Sequence, residues 1–141
     1  MSTRLERTID LLADLVAFPT VSGEPNGAII TYIKTYLELH GIDVLLDVTD
    51  DGQQMNLFAT IGPAVDGGII LSGHTDVVPA SSEGWQSDPF VLRRNQGKLY
   101  GRGAVDMKGF VAIALAMVPD FVAARKRLKI PVHLAFTFDE E

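Results

Sequence analysis

A histidine and an aspartate two residues apart, His74 and Asp76, follow directly on the apolar run at residues 68–72. Side chains in an extended segment alternate with a period of two, so this imidazole and this carboxylate point the same way. A metal-binding histidine needs that arrangement: one ring nitrogen for the ion, the other held by a carboxylate that fixes the tautomer. Gly73, just before the histidine, is read as the point where the backbone turns sharply out of a buried strand. Two further acidic positions stand at the edges of apolar runs. Asp106 lies between a glycine-rich loop and an apolar stretch, and Glu140-Glu141 follows Thr137-Phe138-Asp139. Each admits a plain structural role: a hydrogen-bonded turn at His74 and Asp76, a helix N-cap at Asp106, a solvated turn at Glu140-Glu141. Taken together, they suggest a metal-dependent hydrolase.

Composition narrows the field. The chain has 141 residues, of which 47% are hydrophobic, so it is globular and not disordered. A formal net charge of −6 argues against a nucleic-acid partner. There is no cysteine, so any metal must be held by His, Asp and Glu, a set suited to Zn²⁺, Co²⁺ or Mn²⁺. The charged start of the chain leads into an amphipathic pattern, and no run approaches the ~20 apolar residues of a membrane span. A cytoplasmic location, with no membrane partner, is expected.

Leu5, Ile9, Leu12 and Val16 recur at helical spacing and predict a surface helix ending before Pro19. Asn26 is placed to cap a second helix with core face Ile29, Ile33, Tyr36 and Leu37, closed by Gly41. Strands are expected at residues 42–48, 56–61 and 67–71, with a turn at Asp50-Asp51-Gly52. Residues 85–100 read as short extended pieces with a hairpin turn at Asn95-Gln96-Gly97. Gly101 and Gly103 permit unusual backbone angles ahead of Asp106. The apolar run 109–118 predicts a helix buried on most sides, which Pro119 should kink or interrupt. The basic cluster Arg125-Lys126-Arg127 with Lys129 suits that helix's C-terminal end. Residues 131–138 are apolar on both faces, as in an interior strand of a parallel or mixed sheet. The expected fold class is α/β, a layered mixed sheet with flanking helices and its reactive groups at the strand ends.

The ordered set His74-Thr75-Asp76-Val77-Val78-Pro79, Trp85, Asp88-Pro89-Phe90, Gly97-Lys98-Leu99-Tyr100-Gly101-Arg102-Gly103, Asp106-Met107-Lys108-Gly109 and Asp139-Glu140-Glu141 carries a family resemblance. It closely resembles the N-terminal part of the co-catalytic zinc amidohydrolases and peptidases, the family of acetylornithine deacetylase, succinyl-diaminopimelate desuccinylase and the glutamate carboxypeptidases. The resemblance covers nearly the whole chain. Asn56-Leu57-Phe58-Ala59-Thr60-Ile61-Gly62, Met107-Lys108-Gly109-Phe110 and Val132-His133-Leu134-Ala135-Phe136 look most like the acetylornithine deacetylase type.

That resemblance implies a zinc-exopeptidase-like fold, with residues 1–141 as the N-terminal portion of a two-metal hydrolase catalytic domain. The lid or dimerisation domain and the C-terminal catalytic half would be absent. It implies two divalent ions, Zn²⁺ or Co²⁺, a small N-acyl amino acid as substrate, and a homodimer at full length. The implied reaction turns N-acetyl-ornithine and water into ornithine and acetate, in arginine biosynthesis. His74 would bind one metal, with Asp76 behind it as the orienting carboxylate; Asp106 would bridge both metals and Glu141 would bind the second. Glu140 would be the general base, and a cis peptide would follow Asp106; residues that read the substrate are unassigned. Ala104 departs from the deacetylase pattern, where a hydroxyl residue is common, and matches desuccinylase-like sequences. N-succinyl-diaminopimelate or another acyl-amino acid is therefore the alternative substrate. The family's remaining carboxylate and histidine ligands have no counterpart in these residues, so the chain alone is expected to be inactive. A non-catalytic folded module is the alternative of another class. His40, at a helix end, and His133, within a strand, are read as structural or exposed.

Overall fold

The computed structural model describes residues 3–141. The first helix, α1 (Arg4–Val16), opens on a reciprocal cap. The Thr3 hydroxyl accepts from the Glu6 N–H, and the Glu6 carboxylate accepts from the Thr3 N–H. It buries Leu11, Leu12, Leu15 and Val16, whereas Leu5, part of the apolar stripe read from sequence, is exposed in the first turn. The second helix, α2 (Gly27–Leu39), buries Ile29, Ile30, Ile33 and Leu37 and ends at Gly41, whose φ of 69° suits glycine. Asn26 precedes α2 but does not cap it. Its buried amide instead pairs with both polar groups of Met55, accepting from the N–H and donating to the carbonyl at 2.8 Å each. That satisfies more of the amide than a cap bond would.

Five strands follow in the order expected, and a sixth comes after the third helix. They are β1 (Val44–Val48), β2 (Met55–Ile61), β3 (Ile69–His74), β4 (Arg93–Asn95), β5 (Lys98–Tyr100) and, last, β6 (Val132–Thr137). The main sheet has the order β1-β2-β6-β3, with β6 antiparallel to β2 and parallel to β3. Val132–Thr137, within the stretch 131–138 expected as a strand, thus forms an interior strand of a mixed sheet, as the apolar pattern predicts. β4 and β5 make a separate hairpin turned by Gln96 and Gly97, both at positive φ (48° and 74°), the signature of a two-residue hairpin loop.

The third helix, α3 (Lys108–Ala124), continues through Pro119 and is not interrupted there. A proline inside a helix leaves the carbonyl four residues earlier without its donor. Here that carbonyl is Leu115's, and the Tyr36 hydroxyl of α2 donates to it at 3.1 Å. The next carbonyl, Ala116's, accepts from Arg7 of α1 at 2.8 Å. Neighbouring side chains satisfy what the proline removes, so the helix continues.

All three helices share one core with one face of the sheet, where Leu57, Ala59, Ile61, Leu134 and Phe136 meet Leu15, Ile30, Ile33 and Leu115. The opposite face carries Leu45, Phe58 and Ile70, all exposed. Among the described residues, no helix is long and apolar enough to cross a membrane.

One cation lies inside this core. Lys108, the first residue of α3, is fully buried and donates from Nζ to the Phe18 carbonyl at 2.6 Å. Burial pulls its pKa down to about 8, against the opposing pull of the Asp76 carboxylate.

Two outcomes follow from this packing. Phe136→Ala should lower stability by about 3–5 kcal/mol in urea denaturation, whereas Leu39→Ala, at an exposed position, should change it by less than about 0.5 kcal/mol. Lys108 makes stability depend on alkaline pH. A base whose folded pKa is depressed stabilises the fold fully only above its unfolded value of ~10.4, and that stabilisation is lost as pH falls through about 8. Relative to Lys108→Met, the parent chain should therefore gain up to about 3 kcal/mol between those limits. A difference that stays flat over that pH range would show the lysine to be hydrated.

Candidate metal centre

Because β3 and β6 are parallel and in register at His74 and Thr137, the chain leaves the sheet twice at the same place. Thr75 locks the two exits together, donating from both its N–H and its hydroxyl to the Thr137 carbonyl at 2.9 Å. Gly73 has a different purpose from the one expected. It lies inside β3, and a Cβ there would come within 3.3 Å of Phe110 and Val111, so glycine permits the close approach of α3 and not a turn. Gly103 does need its positive φ of 76°, and a Cβ there would sit 2.5 Å from Val77. The turn it makes delivers Asp106 to the strand exits at the N-terminal end of α3, where backbone N–H groups favour anionic partners. Asp106 is not the helix cap; Met107 holds that position without a side-chain bond, and the Asp106–Met107 peptide is cis.

The three expected ligand residues converge. Ligand atoms of His74, Asp106 and Glu141 all lie within 4.8 Å of one another. His74 is buried, with Nε2 3.0 Å from Asp106 Oδ1 and 3.6 Å from Glu140 Oε2. On the other side of the ring, Nδ1 lies 3.0 Å from the Asp76 carbonyl and 3.3 Å from Asp76 Oδ1. Both ring nitrogens therefore face oxygen acceptors; a cation at Nε2 would take the place of the proton shared with Asp106, and the two acceptors facing Nδ1 would keep the remaining ring proton there. Asp76 does stand behind the imidazole, though its carbonyl is the nearer partner. Its buried carboxylate mainly ties down the last turn, accepting from the Glu140 N–H at 3.1 Å, the Glu141 N–H at 3.2 Å and the Ser22 hydroxyl at 2.6 Å.

The electrostatics follow from those contacts. Burial would lower the His74 pKa, but the Asp106 hydrogen bond, the Asp76 carbonyl and the charges of Asp76 and Glu140 outweigh it and raise the imidazole above its usual range. Burial would raise the Asp76 carboxyl, but the Ser22 hydroxyl and the Glu140 and Glu141 N–H groups hold it below the usual carboxylate range. One imidazole nitrogen with two exposed carboxylates, and no thiol, is a donor set that fits a hard-to-borderline divalent cation. A cleft of about 540 Å³ lies elsewhere, lined by Ala80, Trp85, Asp88 and Phe90 among others, and it shares no residue with the cluster.

Three participants were given no role from sequence, although Lys108 and Asp139 lie in the motifs that carry the resemblance. Ser22 reaches the site from the α1–α2 loop; Asp139, at a φ of 50°, accepts from the Gly23 N–H at 2.8 Å; Lys108 supports the loop at Phe18. The available signal was a lysine opening an otherwise apolar helix. The remaining histidines stay out of the cluster. His40 lies against the Tyr36 carbonyl at 2.8 Å, and His133 lies between Thr60 and the Gly67 carbonyl.

Comparison with known proteins gives this geometry a family. Over its whole length the chain is 36% identical to acetylornithine deacetylase of Proteus mirabilis (strain HI4320), and it spans 38% of that protein. It is 40% identical to succinyl-diaminopimelate desuccinylase of Rickettsia felis (strain ATCC VR-1525 / URRWXCal2) over 94% of its length, spanning 36% of that protein. Its fold matches the crystal structure of an M20 family metallo-carboxypeptidase from Sulfolobus solfataricus with a TM-score of 0.80 at 25% identity, over 99% of this chain and 31% of that one. The curated relatives it matches are therefore more than twice as long. Residues 70–141, which include every ligand candidate, match the model of Peptidase family M20/M25/M40, and the chain belongs to that family of metal-dependent hydrolases.

Proposed function

We propose that the chain is the N-terminal portion of the catalytic domain of a two-metal amide hydrolase of the acetylornithine deacetylase type. The convergence of His74 Nε2, Asp106 and Glu141 at the paired strand exits carries this reading, with His74 held from behind by Asp76. The identity to acetylornithine deacetylase over the full chain supports N-acetyl-ornithine as substrate, cleaved to ornithine and acetate in arginine biosynthesis. N-succinyl-diaminopimelate is the second reading, supported by the identity to the Rickettsia felis desuccinylase and by Ala104. The full-length protein is proposed as a cytoplasmic homodimer that takes its further ligands and its substrate contacts from the length its relatives carry beyond this match.

In this reading His74, Asp106 and Glu141 would hold the metals, Asp106 being the carboxylate the resemblance implies for both. A pair of divalent ions, Zn²⁺ or Co²⁺, would lower the pKa of a coordinated water toward ~7 and polarise the amide carbonyl. Glu140 lies beside the cluster with its carboxylate exposed, free to take a proton from the attacking water. The water oxygen bonds to the carbonyl carbon, the C–N bond breaks, and Glu140 returns the proton to the departing amine. Asp76 stays ionised and keeps the imidazole oriented throughout.

Ligand counting sets the first expected outcome. Catalytic zinc keeps three protein ligands, and two residues per metal fall short of that. The 141-residue chain should bind Zn²⁺ no more tightly than micromolar by calorimetry and should not hydrolyse N-acetyl-ornithine; His74→Ala should remove what binding remains. Tight binding of two ions with turnover would refute the incomplete-site reading. In the full-length protein, Glu140→Gln should lower kcat by a factor of about 10²–10⁴ with metal content unchanged, because it removes a base and not a ligand. If metal were lost instead, Glu140 and Glu141 would exchange roles.

A further inference from the structure

The loop at residues 18–23 touches every segment that carries a candidate ligand. Thr20 donates from its hydroxyl to the Thr75 carbonyl at 2.6 Å and accepts from the Val77 N–H at 2.9 Å. The Ser22 N–H donates to the Val77 carbonyl at 3.1 Å, which makes a short parallel bridge between Val21 and Val77. The Gly23 N–H holds Asp139, and the Phe18 carbonyl receives Lys108 from the start of α3. Within this clamp a single side chain reaches the charged network, through Ser22 Oγ at 2.6 Å from Asp76 Oδ2.

Asp76 is in unusual demand. One buried carboxylate faces the His74 ring with Oδ1 and the two amides of the Glu140-Glu141 turn, chiefly with Oδ2. A carboxylate can rotate about its Cβ–Cγ bond, and each rotation would give up one of those partners. A hydroxyl donor fixed to a separate loop removes that freedom. We infer that Ser22 is a positioning residue of the site: its hydroxyl holds the Asp76 carboxylate in the one rotation that serves the imidazole and the Glu140-Glu141 turn together. Asp76 orients His74, and Ser22 orients Asp76. Such outer partners of a ligand typically alter metal affinity by about 10–100-fold, and Ser22 stands one bond further out. Its claim on metal binding rests on the metal-centre reading; its claim on the turn does not.

The test uses the 141-residue chain in four forms: parent, Ser22→Ala, Ser22→Cys and Ser22→Thr. Hydrogen exchange of the Glu140 amide should quicken by about 10-fold in Ser22→Ala, while the Leu134 and Phe136 amides keep parent rates. Ser22→Thr, which keeps the hydroxyl, should restore protection to within about 3-fold, and Ser22→Cys, with its weak donor, should fall between. In parallel, Zn²⁺ titration by calorimetry should show about 3–10-fold weaker binding for Ser22→Ala than for the parent. Unchanged Glu140 exchange in Ser22→Ala would overturn the inference. Equal acceleration at Leu134 and Phe136 would also overturn it, since that is general loosening. So would local acceleration with Zn²⁺ affinity equal to the parent's. Local acceleration in a chain whose parent form takes no Zn²⁺ would uphold Ser22 as the residue that positions the turn and refute the metal reading alone.

Discussion

The parallel pairing of β3 with β6 is the constraint on which the rest of the site depends. Parallel strands point their C-terminal ends the same way, and the His74–Thr137 register puts those ends level. Everything reactive follows within a few residues of that line: the imidazole and Asp76 on one exit, Glu140 and Glu141 on the other. α3 then needs only to approach β3 closely, through the missing side chain at Gly73, for Asp106 to arrive from a third direction. A register shift of one residue would turn the strand's side chains to the opposite face and remove His74 from the cluster.

Much of this was legible in the sequence. Period-two spacing joined His74 to Asp76, apolar runs on both faces marked β6 as interior, and Gln96-Gly97 marked the hairpin. What was misread shares a cause: each residue answers to a partner distant in the chain. Gly73 looked like a turn because the helix it admits begins more than thirty residues later. Asn26 looked like a cap because its pairing with Met55 is invisible without β2 beside it. Pro119 looked like a break because the rule assumes an isolated helix, whereas Tyr36 supplies the missing donor and Arg7 binds the next carbonyl. Ser22 gave no signal at all, since a serine beside a glycine in a loop is ordinary until Asp76 is placed opposite it.

The electrostatic arrangement is unusual for its depth. A lysine and an aspartate, Lys108 and Asp76, are both buried next to an exposed pair of carboxylates, Asp106 and Glu141. Neither is held by charge attraction alone; Lys108 has a carbonyl, and Asp76 has a hydroxyl and two amides. Buried ions cost several kcal/mol each unless hydrogen bonds replace their water, and these bonds also fix direction, which a diffuse charge interaction cannot do. The same contacts that make the charges tolerable make the geometry specific.

The interior place of β6 also sets the order in which this part of the molecule can assemble. β1 and β2 can form a local hairpin as soon as they are synthesised, but β3 has no partner until residues 132–137 arrive. Sequence separations of this kind slow folding, because loop-closure entropy comes before the contacts that compensate it. A nascent chain ending before β6 would hold two hairpins, an unpaired β3 and three helices without the strand that joins β2 to β3. The reactive cluster therefore waits on β6, because the exits that carry His74 and Glu141 are level only once β3 and β6 have paired.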